Sequence, residues 1–452
     1  MTSSTPRRPL LIIVLGAGKG TRMKSAMPKV LHAVGGRSML AHVLGLSACV
    51  RADKLAVVIG PGMDGVAKEI GKQAPDAHVF IQHSQRGTAD AVLSAREAMA
   101  GWEGDTLVLY ADTPLITAAT IERLRDALAA GAGVAVLGFE AVNPTGYGRL
   151  LQDEAGQLVA IREQKDASEA ERAVRLCNSG VMAFALPDVV GVLEAIGNTN
   201  ANGEFYLTDA VEIARSRGAL TAVVVCPETE VLGVNARDQL AVAEGLFQGR
   251  MRAQAMADGA TLIAPDTVWF SYDTKIGRDV IIEPNVFFGP GVTVGDNVLI
   301  RANCHIEGAS IGEGAKVGPF ARLRPGAELG PDVHIGNFVE VKNVAMGARS
   351  KANHLTYLGD GSVGPDANVG AGTIFCNYDG FKKHRTEVGA GAFIGSNSSL
   401  VAPVKIGDGA YIGSGSVITK NVAPGSLALE RSTQEERPGW AEKFRTMMQR
   451  RS

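Results

Sequence analysis

From Ile276 onward, large apolar residues recur at every sixth position: Ile276, Ile282, Phe288, Val294, Ile300 and Ile306. After a slip of one residue the series resumes as Ile311, Val317, Leu323, Leu329, Ile335 and Val341. It returns at Val363 and Val369, then runs from Val388 through Ile394, Leu400, Ile406 and Ile412 to Ile418. Glycine follows most of these positions, as at Gly277, Gly312, Gly336, Gly395 and Gly413, and a small or β-branched residue sits four places on, as at Val280, Ala315 and Val404. A period of six fits neither an α-helix nor an alternating strand. It predicts a parallel β-helix of short flat strands joined by turns, each strand sending one apolar side chain inward. Glycine is expected where the backbone turns with unusual dihedrals and no Cβ fits. A β-sandwich with chance spacing would not hold phase over six consecutive hexads twice. Residues 342–362 and 370–387 break the phase and are expected to leave the coil as loops. They carry Lys342, His354, Tyr357, Asn377 and Tyr378, and loops on a rigid scaffold are where function collects.

The first half has a different rhythm. Short aliphatic strands at 11–15, 55–59 and 106–110 alternate with helical stretches at 39–48 and 89–99. This βαβ order predicts a doubly wound, Rossmann-like α/β domain with a mostly parallel sheet. In such sheets ligands gather at the carboxyl ends of strands. Between the halves, Leu240, Phe247 and Met251 give a rough apolar face to a glycine-poor helical stretch. The expected organisation is therefore a domain over 1–237, a linker helix over 238–258, and a β-helix with a tail over 259–452.

Composition sharpens this picture in three places. Glycine supplies 55 of 452 residues, with 28 in residues 1–270 and 26 in the shorter stretch 271–430, so the excess follows the six-residue repeat. Hydrophobic residues make up 46% and charged residues 20%, which excludes a disordered chain. A net charge of -2 carries no nucleic-acid footprint. The five cysteines (Cys49, Cys177, Cys226, Cys304, Cys376) are scattered without a C-x-x-C pair and read as free thiols in a reducing compartment. Arg7, Arg8 and the apolar run that follows mimic a signal peptide, but the run is short and a glycine-rich loop stands where a cleavage site would be. With no stretch near the roughly 20 apolar residues of a membrane span, a cytoplasmic protein without a membrane partner is expected.

The glycine-rich loop, Leu15-Gly16-Ala17-Gly18-Lys19-Gly20-Thr21-Arg22-Met23, lets backbone amides approach phosphate oxygens. It is neither the G-x-G-x-x-G pattern nor a Walker A loop. Joined to Pro28-Lys29, it resembles the signature of sugar-1-phosphate nucleotidyltransferases, in which Arg and Lys neutralise a triphosphate. Asp112 at the end of a strand suits Mg²⁺, which takes one or two carboxylates plus phosphate oxygens. The alternative for Asp112 is a cap for the helix that follows at Thr113-Pro114. Further runs are Gln82 with Gly87-Thr88, Pro144-Thr-Gly-Tyr-Gly-Arg149, Asn178, Gly233-Val-Asn235, Arg322-Leu-Arg-Pro-Gly-Ala327, His354-Leu-Thr-Tyr-Leu-Gly359, Gly370-Ala-Gly-Thr373 and Cys376-Asn-Tyr-Asp-Gly380.

Over almost its full length the chain resembles the bifunctional bacterial N-acetylglucosamine-1-phosphate uridyltransferase/glucosamine-1-phosphate acetyltransferase family. The resemblance implies a left-handed β-helix, a homotrimer with active sites between neighbours, and two reactions. Acetyl-CoA would acetylate glucosamine-1-phosphate, and UTP would then be coupled to the product with Mg²⁺ and release of pyrophosphate, feeding peptidoglycan and lipopolysaccharide precursors. Leu15, Gly16, Ala17, Gly18, Lys29, Gln82, Gly87, Thr88, Tyr110, Ala111, Asp112, Gly148, Glu163, Asn178 and Asn235 would line the nucleotide-sugar site. Asp112 and Asn235 would hold the metal, while Arg22 and Lys29 stabilise phosphoryl charge. In the β-helix His354 would be the general base, and Arg324, Lys342, Tyr357 and Asn368 would hold the sugar phosphate. Ala371, Asn377, Tyr378, Ser396, Ser414 and Arg431 would meet acetyl-CoA.

Departures from the family pattern are few: Gly16 where Ala is frequent, Ala111 where Gly precedes the aspartate, Leu232 where Glu is common, and Ser414 for Ala. Ala111 is expected to touch the uridine pocket. The repeat looks about one coil short near residues 306–311. The basic tail (Lys443, Arg445, Arg450, Arg451) reads as a solvated end or as a neighbour of CoA phosphates. Two other readings are a single-activity nucleotide-sugar pyrophosphorylase with a structural β-helix, and a non-catalytic scaffold. His354 argues against the first, and the presence of Lys29, Asp112 and Asn235 against the second.

Overall fold

A computed structural model of the protein describes residues 7–450; Arg451 of the basic tail lies outside the described residues. The chain folds into two compact units, one through Gly249 and one from Arg250. The division falls inside a helix, Arg237–Ala257. Leu240, Leu246 and Phe247 of that helix pack on the first unit beside Val34 and Met39, and Met251 and Ala255 pack on the core of the second.

The first unit is a sheet covered on both faces. Its strands are β1 (Leu10–Leu15), β2 (Lys54–Ile59), β3 (His78–Ile81), β4 (Asp105–Tyr110), β5 (Val134–Glu140), β6 (Arg149–Gln152), β7 (Leu158–Arg162), β8 (Leu176–Phe184) and β9 (Thr221–Val225). The order is β9-β5-β8-β4-β1-β2-β3, with β6 and β7 as a hairpin beside β8. All main-path pairs are parallel except those of β8, which runs against both β4 and β5. β1 is buried along its whole length, with Leu10, Ile12 and Val14 in one core and Leu11, Ile13 and Leu15 in the other. A continuous apolar run is what a central parallel strand needs. Chain order reverses at β1, so the crevice beyond Leu15 and Tyr110 is the switch point where such sheets bind ligands. The helix expected over 89–99 is two, Thr88–Leu93 and Arg96–Met99; at the break, the Ser94 hydroxyl donates to the Asp90 carbonyl.

The second unit is the expected parallel β-helix. Ile281 pairs with Leu299, 18 residues on, so three hexads make one coil. Two inward positions per hexad fill the core, as with Val280 and Ile282. In the later coils the first of the two is often a hydroxyl that bonds its own corner, as Ser398 does to the Gly395 carbonyl at 2.6 Å and Thr373 to that of Gly370 at 2.7 Å.

Three expectations need correcting. First, His305 pairs with Arg322, 17 residues on, so the repeat near 306–311 is short by one residue and not by a coil. Second, residues 342–362 do not leave the coil. Lys351 pairs with His334 on one side and Asn368 on the other, and Met346, Ala352, Leu358 and Val363 all point into the core. Two five-residue steps, Val341 to Met346 and Leu358 to Val363, break the phase while the chain stays in register, and Ala352 is too small to register as an apolar beat. Only 377–385 makes an excursion, between the strands Ile374–Cys376 and Thr386–Val388. Third, the glycine after an apolar residue is there mostly for coil spacing and not for its dihedral, Gly318 at φ +100 being an exception. A Cβ on Gly312 would lie 2.7 Å from the Gly330 carbonyl carbon and 2.8 Å from Pro331 N. The left-handed residue comes two places later, and Asn285, Asn297, Asn303, Asp332 and Asn397 fill it as readily as glycine.

Candidate active sites

The first site opens at the carboxyl ends of β1 and β4. Leu15, Gly16, Ala17, Gly18, Lys29, Gln82, Gly87, Thr88, Tyr110 and Asp112 line one cleft of about 280 Å³. Gln82 is buried and donates to the Gly87 carbonyl and to Asp90, so the residues after β3 are pinned to the next helix. Gly87 adopts φ +132, and a Cβ there would collide with Phe205 backbone, so only glycine lets the 204–207 segment close on the cleft. Gln85, which sequence reasoning passed over, donates to the Ala17 carbonyl at 2.6 Å and braces the phosphate loop. Its amide-bearing side chain three residues past Gln82 was the available signal.

At the floor of the cleft the Lys29 ammonium donates to Asp112 Oδ2 at 2.5 Å and to Asn235 Oδ1 at 2.9 Å. Two oxygens from distant segments thus converge on one cation. Val234 N donates to the Asp112 carbonyl and Asn235 N to Gln239 Oε1, which hold the two segments together. Arg22, in contrast, lies exposed on the turn Thr21–Met23 and does not line the cleft.

Tyr110 links the cleft to a second cluster. Burial pushes its phenol pKa well up, with Asp112 and Glu163 adding to the shift, so it is a neutral hydroxyl beside Thr88. Gly180 packs against its ring, where a Cβ would lie 2.8 Å from the ring edge. The Gly148 carbonyl accepts from Asn178 N–H at 2.8 Å, and a Cβ on Gly148 would approach Glu163 Oε1 to 3.3 Å. Burial, then Asp166 and Asp209, raise the Glu163 carboxyl above its ordinary range. Ala111 does not touch the cleft: it is fully buried, and its methyl faces the spot where a Gly16 Cβ would sit, 3.5 Å away. The Gly16 and Ala111 departures therefore exchange one methyl across a shared contact.

The second site is a column at one corner of the β-helix. His354 ends the strand Lys351–His354, with its ring exposed. Asn337 Oδ1, directly beneath in register, accepts from its Nδ1–H at 2.6 Å, which leaves the Nε2 lone pair free to take a proton. Thr356 Oγ1 donates to the His354 carbonyl at 2.7 Å. Above it successive coils stack Ala371, Ser396 and Ser414: Asn397 N donates to the Ala371 carbonyl, Gly415 N to that of Ser396, and Arg431 Nη1 to that of Ser414 at 2.9 Å. Asn337 lies one coil before His354, a relation invisible until the coil length is known.

At the other end of the same face lies a basic corner. Arg324 is bonded to Glu340 at 2.8 Å, and Tyr357 stands beside Glu340 in register. Lys342 is in register with Gly359. Burial pushes the Asp360 carboxyl up, but hydrogen bonds from Asn343 and Asn377 and the charges of Lys342 and Lys383 outweigh it, so it titrates below its usual range. Lys383, not anticipated from the sequence, lies close enough to Lys342 that the neighbouring ammonium lowers its pKa. Asp379 locks its loop by accepting from the backbone of Phe381 and Lys382 and from His384 Nε2, and these hydrogen bonds bring its carboxyl to about 2. Tyr378 turns its hydroxyl onto the Gly380 carbonyl at 2.5 Å. Asn368 is not at this corner; it lies on the preceding face, between Lys351 and Phe393. One chain thus separates the His354 column from the basic corner.

Residues 12–175 match the MobA-like NTP transferase domain family, and 273–308, 308–343 and 385–420 match the bacterial transferase hexapeptide family. The chain is 58% identical to the bifunctional protein GlmU of Azorhizobium caulinodans over 97% of its own length and 98% of that protein. It is 57% identical to GlmU of Xanthobacter autotrophicus and 55% to that of a Bradyrhizobium species, again over 97% of the chain. The chain belongs to the bifunctional GlmU family. Its fold is accordingly a Rossmann-like nucleotidyltransferase unit followed by a left-handed β-helix. The likeness to GlmU runs through both units, so neither a single-activity pyrophosphorylase nor a scaffold is favoured. The hexapeptide matches skip 344–384, the stretch with five-residue steps and the excursion. All five cysteines are free, and among the described residues no helix is long and apolar enough to cross a membrane.

Proposed function

We propose that the chain makes UDP-N-acetylglucosamine by two reactions, one in each unit, as a cytoplasmic homotrimer. The observation that carries this reading is that each unit holds its own reacting set: an oxygen pair gathered on one cation at a phosphate loop, and an oriented imidazole on a β-helix corner.

In the β-helix, His354 Nε2 takes a proton from the glucosamine-1-phosphate amine as its nitrogen attacks the acetyl-CoA carbonyl, and CoA thiolate leaves. Arg324, Lys342 and Lys383 neutralise the sugar phosphate, with Tyr357 beside them. Asn377, Tyr378 and the column of Ala371, Ser396, Ser414 and Arg431 face acetyl-CoA. The column and the basic corner lie at opposite ends of one face, which supports a site completed by a neighbouring copy, Asn368 included.

In the first unit the sugar 1-phosphate oxygen attacks the α-phosphorus of UTP and pyrophosphate leaves. The loop from Leu15 to Gly18 presents backbone amides to the phosphates, and Lys29 stabilises the charge that spreads over their oxygens. Gly148, Glu163 and Asn178 receive the sugar, with Tyr110 as a neutral donor. Asp112 and Asn235 have the hard oxygen chemistry that suits Mg²⁺ and already hold a cation between them. When bound, Mg²⁺ supplies charge to the phosphate oxygens. The exposed placement of Arg22 gives it at most a contact with phosphates that project from the cleft.

His354→Ala should abolish acetyl transfer and spare UTP-dependent pyrophosphate release, and Asp112→Ala should do the reverse. CoA and pyrophosphate are followed separately on protein of trimer mass. Loss of both activities from either change would sink the two-site reading.

A further inference from the structure

Lys29 occupies an unusual position for a phosphate-binding lysine. Its side chain is nine-tenths buried, and its ammonium sits between the two oxygens best suited to a divalent cation, 2.5 Å from Asp112 Oδ2 and 2.9 Å from Asn235 Oδ1. The fold holds it there. Gly20, at φ +60, lies against the Lys29 stem, where a Cβ would approach to 2.6 Å. The three groups come from the loop after β1, the end of β4 and the segment before the linker helix, and the last two are joined by Val234 N donating to the Asp112 carbonyl. Lys29 also lines the cleft, so the ammonium has a path toward bound phosphates.

We propose that Lys29 is a built-in placeholder for the divalent cation. It keeps Asp112 and Asn235 paired and gives way only when nucleotide phosphates offer its ammonium another partner. The proposal rests on the assignment of Asp112 and Asn235 to the metal. An ammonium and a dication cannot share the same two oxygens without strong repulsion. The metal alone therefore binds weakly, and metal and UTP bind with strong mutual reinforcement. The lysine thus prevents a metal ion from settling in the cleft before the nucleotide arrives.

The test titrates Mn²⁺ alone into the full chain and reads free Mn²⁺ by its paramagnetic resonance signal. Lys29→Met should bind Mn²⁺ at least about tenfold more tightly than the unaltered protein. Lys29→Arg, which keeps the charge, should stay as weak as the unaltered protein. With UTP present the advantage of Lys29→Met should vanish or reverse. An unchanged thermal transition of the first unit reports that the variants are folded. Equal or weaker Mn²⁺ binding by Lys29→Met, or tighter binding by Lys29→Arg, overturns the placeholder. If adding Asp112→Asn leaves Mn²⁺ binding by Lys29→Met unchanged, the metal assignment itself is wrong, a separate failure.

Discussion

Two kinds of glycine in one repeat should respond to substitution in opposite ways. Gly312 follows an inward apolar residue, and an added Cβ would sit 2.7 Å and 2.8 Å from backbone atoms of Gly330 and Pro331. Ordinary contact needs about 3.5 Å or more, so the coils must part by several tenths of an ångström. Backbone on both sides leaves nothing flexible to yield, and overpacking of this kind costs about 2 kcal/mol. Gly409 sits at a corner with φ +63 and open space where its Cβ would be. Asparagine already occupies the same corner in an earlier coil, at Asn297. Its small left-handed penalty is offset by the entropy an unfolded chain loses with glycine, leaving a change within about 0.5 kcal/mol. For a unit of this size each kcal/mol moves the midpoint by about 2–4 °C. Calorimetry of the full chain should therefore show the second-unit transition about 4–8 °C lower in Gly312→Ala and within about 2 °C in Gly409→Asn. Acetyl-transfer activity left after heating assigns that transition. Equal losses in the two variants, or an unmoved midpoint in Gly312→Ala, would refute the coil-spacing argument.

Two further outcomes follow from the sites. Asn337→Ala removes the partner that fixes the His354 tautomer, so kcat for acetyl transfer should fall about tenfold to a hundredfold, less than the loss in His354→Ala, with pyrophosphate release unchanged; an unaltered kcat would show that the imidazole needs no such anchor. Burial and the neighbouring Asp166 and Asp209 raise the Glu163 carboxyl, so the folded protein keeps a proton that the unfolded chain releases between the ordinary and the raised value. Stability of the first unit then falls as pH rises through that window, and Glu163→Gln should lose less melting temperature than the unaltered protein as pH rises above the ordinary carboxylate range; identical pH slopes would count against a buried, proton-holding Glu163.

Much of the fold can be read along the chain because it is periodic or continuous. The hexads from Ile276 to Val341 predicted the coil, and the alternation of strands and helices predicted a doubly wound, mostly parallel sheet. The middle of the β-helix was misread for an equally physical reason. Five-residue corners shift the phase by one, and a small inward residue such as Ala352 makes no apolar beat, so a regular coil looks like a loop. In the first unit, the cleft residues named from the loop after β1 and the ends of β3 and β4 come together, because parallel strands deliver their carboxyl ends to one edge. Arg22, three residues past Lys19 in the same loop, does not, because the turn at Thr21–Met23 carries it outward.

The sequence by itself determined the two architectures and the chemical types available to each site. Repeat length, apolar continuity and local motifs are properties of neighbours along the chain, and they survive without knowledge of what lies across the fold. Pairings between distant segments were decided only by tertiary structure. Asn337 meets His354 because a coil is 17 residues long at that point. Lys29 meets Asp112 and Asn235 because three separate segments end at one crevice. Gly16 and Ala111 share one methyl-sized space only because β1 and β4 lie side by side. Hydrogen bonds and contacts act over a few ångströms of space, whatever the distance along the chain, and so the orientation of each reacting group belongs to the folded molecule.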